Sequence, residues 1–277
     1  MINIPISHVV KKAAGALFIF CIMGEITLAQ EKSPGGLSQE EIAKSNNPLA
    51  DLNQISFHDF ITMHQRGTTE VSNTMNLRGV MVAGRQIIRA TIPFTTTPAA
   101  NSMGYNSGLG DIQIFDAIRF TKNGATTDLG IGPMLVLPTA SNDFLGSGKW
   151  QAGGAFIAMH HIPGGHVLGA LVTYQHSFAG QEDRNEVSVL AFQPVLTFNI
   201  AAGLYGRSAG ATWTFDFENQ RTLIPFGLGV GKVFKAGNAM VNMFIEPQLT
   251  VYSEGAGQPA YQVFFGMNLQ FAGKKGK

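Results

Sequence analysis

From about residue 53 to residue 271 the sequence falls into segments roughly ten residues long in which apolar and polar side chains alternate. The last of them, "YQVFFGMNLQF", sets Tyr261, Val263, Phe265, Met267, Leu269 and Phe271 on one parity and Gln262, Phe264, Gly266, Asn268 and Gln270 on the other. A period of two is a strand with two unlike faces. Beyond residue 30 no apolar run reaches the ~18 residues of a membrane-spanning helix. The chain must therefore bury a large apolar surface with strands alone.

Charged residues make up 13% of the chain, about half the ~25% of a soluble domain. Hydrophobic residues make up 45%, and the mean hydropathy is +0.11. Strands with apolar outer faces and too few charges to shield them are stable in lipid only as a closed barrel, where every backbone group is paired. The fold class expected is all-β, a transmembrane antiparallel up-and-down β-barrel of about 12 strands. Its segments run 53–62, 71–82, 86–95, 109–120, 128–137, 150–160, 166–177, 186–199, 203–215, 221–235, 239–252 and 260–271. The formal net charge of +1 offers no field for nucleic acid, which is set aside as a partner.

The first 29 residues differ from the rest. Lys11 and Lys12 precede "AAGALFIFCIMGEITLA", with small residues Thr27 and Ala29 before Gln30, the pattern of a cleaved secretory signal peptide. The one cysteine, Cys21, lies in this leader, so no disulfide, thiolate metal site or thiol nucleophile is expected in residues 30–277. Residues 30–52 read as a periplasmic segment with a short helix, opened by the capping box of Ser38 and Glu41 and stopped at Asn46, Asn47 and Pro48. Residues 272–277 are a Gly/Lys-rich tail.

Connections alternate in length. "AGR", "KNGATT", "IPGG", "IAAG" and "KAGN" follow the even segments, and mostly longer loops such as "TTTPAANSMGYNSG" and "PTASNDFLGSGK" follow the odd ones. Short periplasmic turns and long extracellular loops are the habit of outer-membrane barrels, which makes the cell outer membrane the expected location. The parities point Arg78, Arg89, Asp111, Gln113, Arg119, Glu246, Gln248 and Gln262 into the lumen, where they either line a pathway or pair with one another. Asp59 and Asp116 fall on the apolar parity, which a bulge or a place near the membrane edge would explain.

"GMNLQF" has the Gly-x-x-apolar-x-aromatic form of the closing strand that barrels present to their assembly machinery, with Gly266, Leu269 and Phe271 as the signal. The loop "PTASNDFLGSGKW" offers Asn142, Asp143, Phe144 and Lys149 as a gate folded over the mouth; alternatively it is a plain connection whose Trp150 joins an aromatic girdle. His176 and Ser177 suggest a lipid hydrolase, but adjacent strand residues point to opposite faces. "HHIPGGH" carries three histidines around a tight turn, which favours a turn over a metal site. No cofactor or metal is expected.

The runs "GLGDIQIFDAIRF", "GPMLVLPTASNDFLGSGKWQAGGAF", "SFAGQEDRNEVS", "FQPVLTFNI" and "IPFGLGVGKVFK" resemble the meta-pathway phenol-degradation family of outer-membrane transporters. The resemblance spans about residues 45–271 and implies a barrel passing small hydrophobic or aromatic compounds. It supplies no catalytic positions. The functional expectation is a pore for diffusion-type uptake of such solutes, with outer-membrane lipids and the assembly machinery as partners. The alternatives are a non-conducting structural or adhesive barrel and a lipid-modifying enzyme.

Overall fold

The computed structural model describes residues 37–67, 70–99, 104–122, 125–255 and 257–272. The expected leader 1–29 and residues 273–277 of the tail lie outside the described residues. Among the described residues one short helix, α1 (Gln39–Ser45), precedes the strands. These are β1 (Leu52–Gln65), β2 (Ser72–Ala83), β3 (Gln86–Pro98), β4 (Tyr105–Leu109), β5 (Ile112–Arg119), β6 (Thr127–Leu137), β7 (Lys149–Ile162) and β8 (His166–Gly180). The second half holds β9 (Ser188–Ala201), β10 (Leu204–Ser208), β11 (Trp213–Asp216), β12 (Arg221–Gly227), β13 (Gly229–Ala236), β14 (Ala239–Glu254) and β15 (Pro259–Ala272).

All fifteen pair antiparallel in a single sheet. Three passes of the chain are each broken in two, β4/β5, β10/β11 and β12/β13, so the sheet is a barrel of 12 strands. It closes where β1 meets β15, in a ladder from Leu52↔Ala272 to Gln65↔Pro259. Among the described strands, closure leaves only the short β4 paired on one side, with β3, at one rim; a closed ladder elsewhere is what lipid demands of a strand protein.

The two faces follow the alternation. Outward residues such as Ile55, Phe57, Met81, Phe94, Ile131, Phe156, Leu196, Phe226 and Val251 are exposed, whereas the inward Ser56, His58, Asn76, Thr91, Thr197, Asn242, Gln248 and Asn268 are buried. An apolar outside around a polar inside is stable when the outside meets hydrocarbon. The register of β1 is continuous from Leu52 to Thr62, so no bulge accounts for Asp59. It faces outward toward the outer end of β2, where the Asn73 amide donates to it. Asp116 lies near the opposite rim and accepts from Gln86 Nε2 at 2.9 Å.

The interior is lopsided. From β5 to β9 it is filled by Phe115, Met134, Ile157, Met159, Val167, Leu171 and Val195, an apolar cluster that also takes in Leu49 and Ile87. The β14, β15, β1 and β2 side is polar apart from the aromatic cluster of Phe60, Phe244 and Phe264. On β13, Gly231 lies under the Tyr205 ring, and on β15, Gly266 lies under the Phe244 ring; a Cβ at either would overlap the ring above it. The absent side chains let these two aromatic rings lie flat along the wall.

The N-terminal segment enters the barrel at the end of the short turns. Ser38 and Glu41 form the capping box of α1 as expected, with Glu41 N donating to Ser38 Oγ at 3.1 Å and Ser38 N to Glu41 Oε2 at 2.9 Å. Ile42 packs on Tyr205 and Val233, and Leu49 is 0% exposed. Helix formation here owes little to length, since an isolated helix of 7 residues is unstable in water. Its stability comes from the barrel around it.

Candidate functional site

The lumen has three levels. At the periplasmic level, as the loop lengths orient it, polar contacts hold the N-terminal segment from several sides. Ser45 Oγ donates to Gln270 Oε1 at 2.6 Å, and Asn47 Nδ2 donates to Asp128 Oδ2 at 2.6 Å. Asn242 Nδ2 donates to the Ser45 carbonyl at 3.3 Å. Arg119 donates to the Leu49 carbonyl at 3.0 Å and to Asp51 at 2.7 Å. Lys235 pairs with Glu41 at 2.8 Å, and this contact holds the Glu41 carboxyl below its ordinary pKa. The segment lies across the lumen as a stopper would.

Above it lies a cavity of about 150 Å³. Its lining includes His58, Arg78, Arg89, Phe115, Arg207, Phe244 and Phe264, and Asn47, Pro48 and Ala50 form its floor. Arg78 Nη1 lies 3.0 Å from His58 Nδ1, and His58 Nε2 lies 2.8 Å from Asn268 Oδ1. Guanidinium can only donate and an amide oxygen can only accept, so His58 is the neutral tautomer protonated at Nε2. Arg89 has its guanidinium 4.0 Å above the Phe115 ring. Arg207 stacks 3.4 Å above Phe244 and donates from Nε to Glu246 at 2.7 Å.

At the extracellular level, amides bridge the wall. Gln262 Nε2 donates to Gln248 Oε1 at 2.6 Å, and Gln248 Nε2 donates to Glu246 Oε1 at 2.9 Å. Asp111 accepts from Ser147 N at 2.7 Å and Ala140 N at 3.2 Å, which pins loop 138–148 to the rim. Arg184 donates to the carbonyls of Asp143, Gly146 and Ser147. Lys149 is buried and donates to Glu186 at 2.8 Å, and Lys149 together with Ser177 holds the Glu186 carboxyl below its ordinary pKa.

The barrel fold is shared with solved channels. No family model and no curated protein matches the chain. Its structure is similar to that of the COG4313 outer membrane channel from Pseudomonas putida F1, at 14% identity and a TM-score of 0.59, over 79% of this chain and 94% of that one. It is also similar to the NanC porin, at 10% identity and a TM-score of 0.52, over 79% of this chain and 98% of that one. At such identities the likeness is one of fold.

Of the eight lumen positions read from the alternation, Arg78 and Arg89 meet at the cavity. Arg119 belongs to the stopper and Asp111 to the loop anchor. Glu246, Gln248 and Gln262 form one network on the wall, with Glu246 0% exposed. Gln113 is inward on β5 but stands outside the cavity lining. In the loop, Phe144 is 64% exposed and points away, Asn142 accepts from Phe144 N at 2.8 Å, and Asp143 and Lys149 are engaged as above. Of the closing-strand residues, Gly266 faces inward and Phe271 outward, and Leu269 shares the outward parity.

His58, Phe115, Phe244 and Phe264 are among the cavity residues outside that set. A signal existed: each phenylalanine sits on the polar parity of its strand, and such an exception marks an aromatic ring placed in the lumen. His176 is exposed while Ser177 is buried, bonded to Glu186 at 2.5 Å, so the two do not meet. His161 lies 2.9 Å from Asp128, and His166 Nδ1 accepts from Asn199 N at 3.1 Å.

Proposed function

We propose that the chain is an outer-membrane pore passing small solutes by diffusion, and that it favours flat apolar ones such as single aromatic rings. The observation that carries this reading is the cavity of about 150 Å³ faced by Phe115, Phe244 and Phe264. A cavity of about this volume in an unrelated protein holds one benzene. The porin-like fold and the apolar outer belt support the outer-membrane location, and the resemblance to the phenol-degradation family points to the same solute class. No step of chemistry is assigned; selection comes from width, lining and the stopper.

Passage requires the stopper to move, since its residues floor the cavity. The reading is tested by reconstituting the mature chain into liposomes and planar bilayers. Solute flux and conductance that fall steeply with solute width are expected. Neither flux nor conductance, with the barrel folded, would overturn it. One observation favours a structural barrel instead, namely that Glu246 is spent on Arg207 and backbone. The unpaired arginines at the cavity weigh the other way, because a merely filled interior would pair them.

A further inference from the structure

We propose that the lumen cavity is a binding site for a small organic anion with a flat apolar body, an aromatic carboxylate, gripped by Arg78 and Arg89. The proposal deepens the pore reading, and rests on it only for how the anion enters and leaves. Its starting point is charge. The side chains lining the cavity include three arginines and no aspartate or glutamate. Arg207 is neutralised by Glu246 at 2.7 Å. Arg78 and Arg89 are not neutralised: among the described residues neither stands in an ion pair.

Their donors are unspent as well. Arg78 gives one hydrogen bond to the neutral His58, and Arg89 rests on the Phe115 ring, yet the Nε groups of both are buried without a partner. Thr91 Oγ1 is unpartnered too. Thr91 faces Arg78 across the β2–β3 ladder, and Arg89 stands two residues along the same face, opposite Val80. Diagonal neighbours on one face are about 7–8 Å apart at the backbone; Arg78 leans to His58 on β1 and Arg89 to Phe115 on β5, and turning toward the cavity between them would let the two guanidinium groups share a single carboxylate.

Two like charges held together in a narrow lumen with donors unmade are costly, and an anion between them relieves both the repulsion and the desolvation. Inorganic anions would satisfy the charge but make no apolar contact with the part of the lining that Phe115, Phe244 and Phe264 supply. A ring bearing a carboxylate uses both halves of the site, and the volume admits one ring.

The test is titration of the folded, detergent-solubilised mature barrel with benzoate, acetate, benzyl alcohol and benzylammonium, read by calorimetry. Benzoate should bind, with the other three weaker by about tenfold or more, the effect of losing one charge-assisted pair or the ring contact. Arg89→Gln and Arg78→Gln should each weaken benzoate by about tenfold. Arg89→Lys serves if the glutamine variant does not fold, and should bind benzoate more weakly than wild type but still above benzyl alcohol. Equal binding of benzoate and benzyl alcohol, or no benzoate binding, overturns the proposal, and the wild-type protein alone decides this. Bilayer conductance is recorded on the same preparations. Conductance without benzoate binding would sink the site and spare the pore; benzoate binding in a barrel that never conducts would do the reverse.

Discussion

Glu246 completes the wall where the ninth strand of the barrel breaks, and it does so together with Arg207. Its carboxylate accepts Arg207 Nε at 2.7 Å and the backbone N–H groups of Ala209 and Gly210 at 3.1 and 2.9 Å, between the end of β10 and the start of β11. Those amides have left the sheet ladder, and the carboxylate takes the place of the missing strand acceptor.

Replacing Glu246 by Gln should therefore cost stability. Breaking a buried ion pair by removing one partner costs about 3–5 kcal/mol. Denaturant unfolding in detergent checks the size of the loss. Arg207 lines the cavity and loses its neutralising partner, so bilayer recordings of the folded variant should shift toward anions. A variant as stable as wild type would contradict this assignment.

Arg119→Ala removes two ties between the wall and the stopper, to the Leu49 carbonyl and to Asp51. Single-channel recordings should show longer or more frequent open periods. Arg184→Ala, at the other rim, should leave those periods unchanged while exposing loop 138–148 to chymotrypsin at Phe144.

Phe271 is 41% exposed on the outer face, opposite Asn53. Phe271→Asp should lower the yield of heat-modifiable folded barrel on gels. The direct cost lies below the roughly 2–4 kcal/mol of a basic residue at the bilayer midplane, so impaired assembly is the larger share.

Acid should loosen the stopper through Glu41. Because Lys235 holds its folded pKa below the ordinary 4.5, the Glu41–Lys235 pair contributes stability above that value and loses it as pH falls through the folded pKa. The difference in thermal stability between wild type and Glu41→Gln should be present at neutral pH and vanish in acid. Both groups are well exposed, so the difference will be small.

The strands were legible because lipid enforces a strict rule: one face apolar, one face free to vary. Each of the twelve expected segments overlaps a strand or a broken pair. The breaks at Gly110, at 209–212 and at Leu228 were not legible, since a carboxylate such as Glu246 repairs the middle one from a distant strand. The lumen was read less well for a related reason. Alternation tells which face Arg78, Arg119 and Glu246 take, but not the depth at which they stand or which partner reaches them. Arg78 faces the cavity, Arg119 the stopper and Glu246 the wall, although all three obey the same parity. The N-terminal segment carried a clear helix cap, yet its destination depended on contacts such as Asn47 with Asp128, which are 81 residues apart.

The seat of that segment has a consequence for the order of biogenesis. Ser45 bonds to Gln270, a partner 225 positions downstream, and Gln270 in turn donates to Gln54 across the β1–β15 seam. This part of the seat thus joins the first and last strands, and it does not exist until their seam has zipped. The barrel closes hollow, and the segment that precedes β1 in the sequence takes its full seat only afterwards.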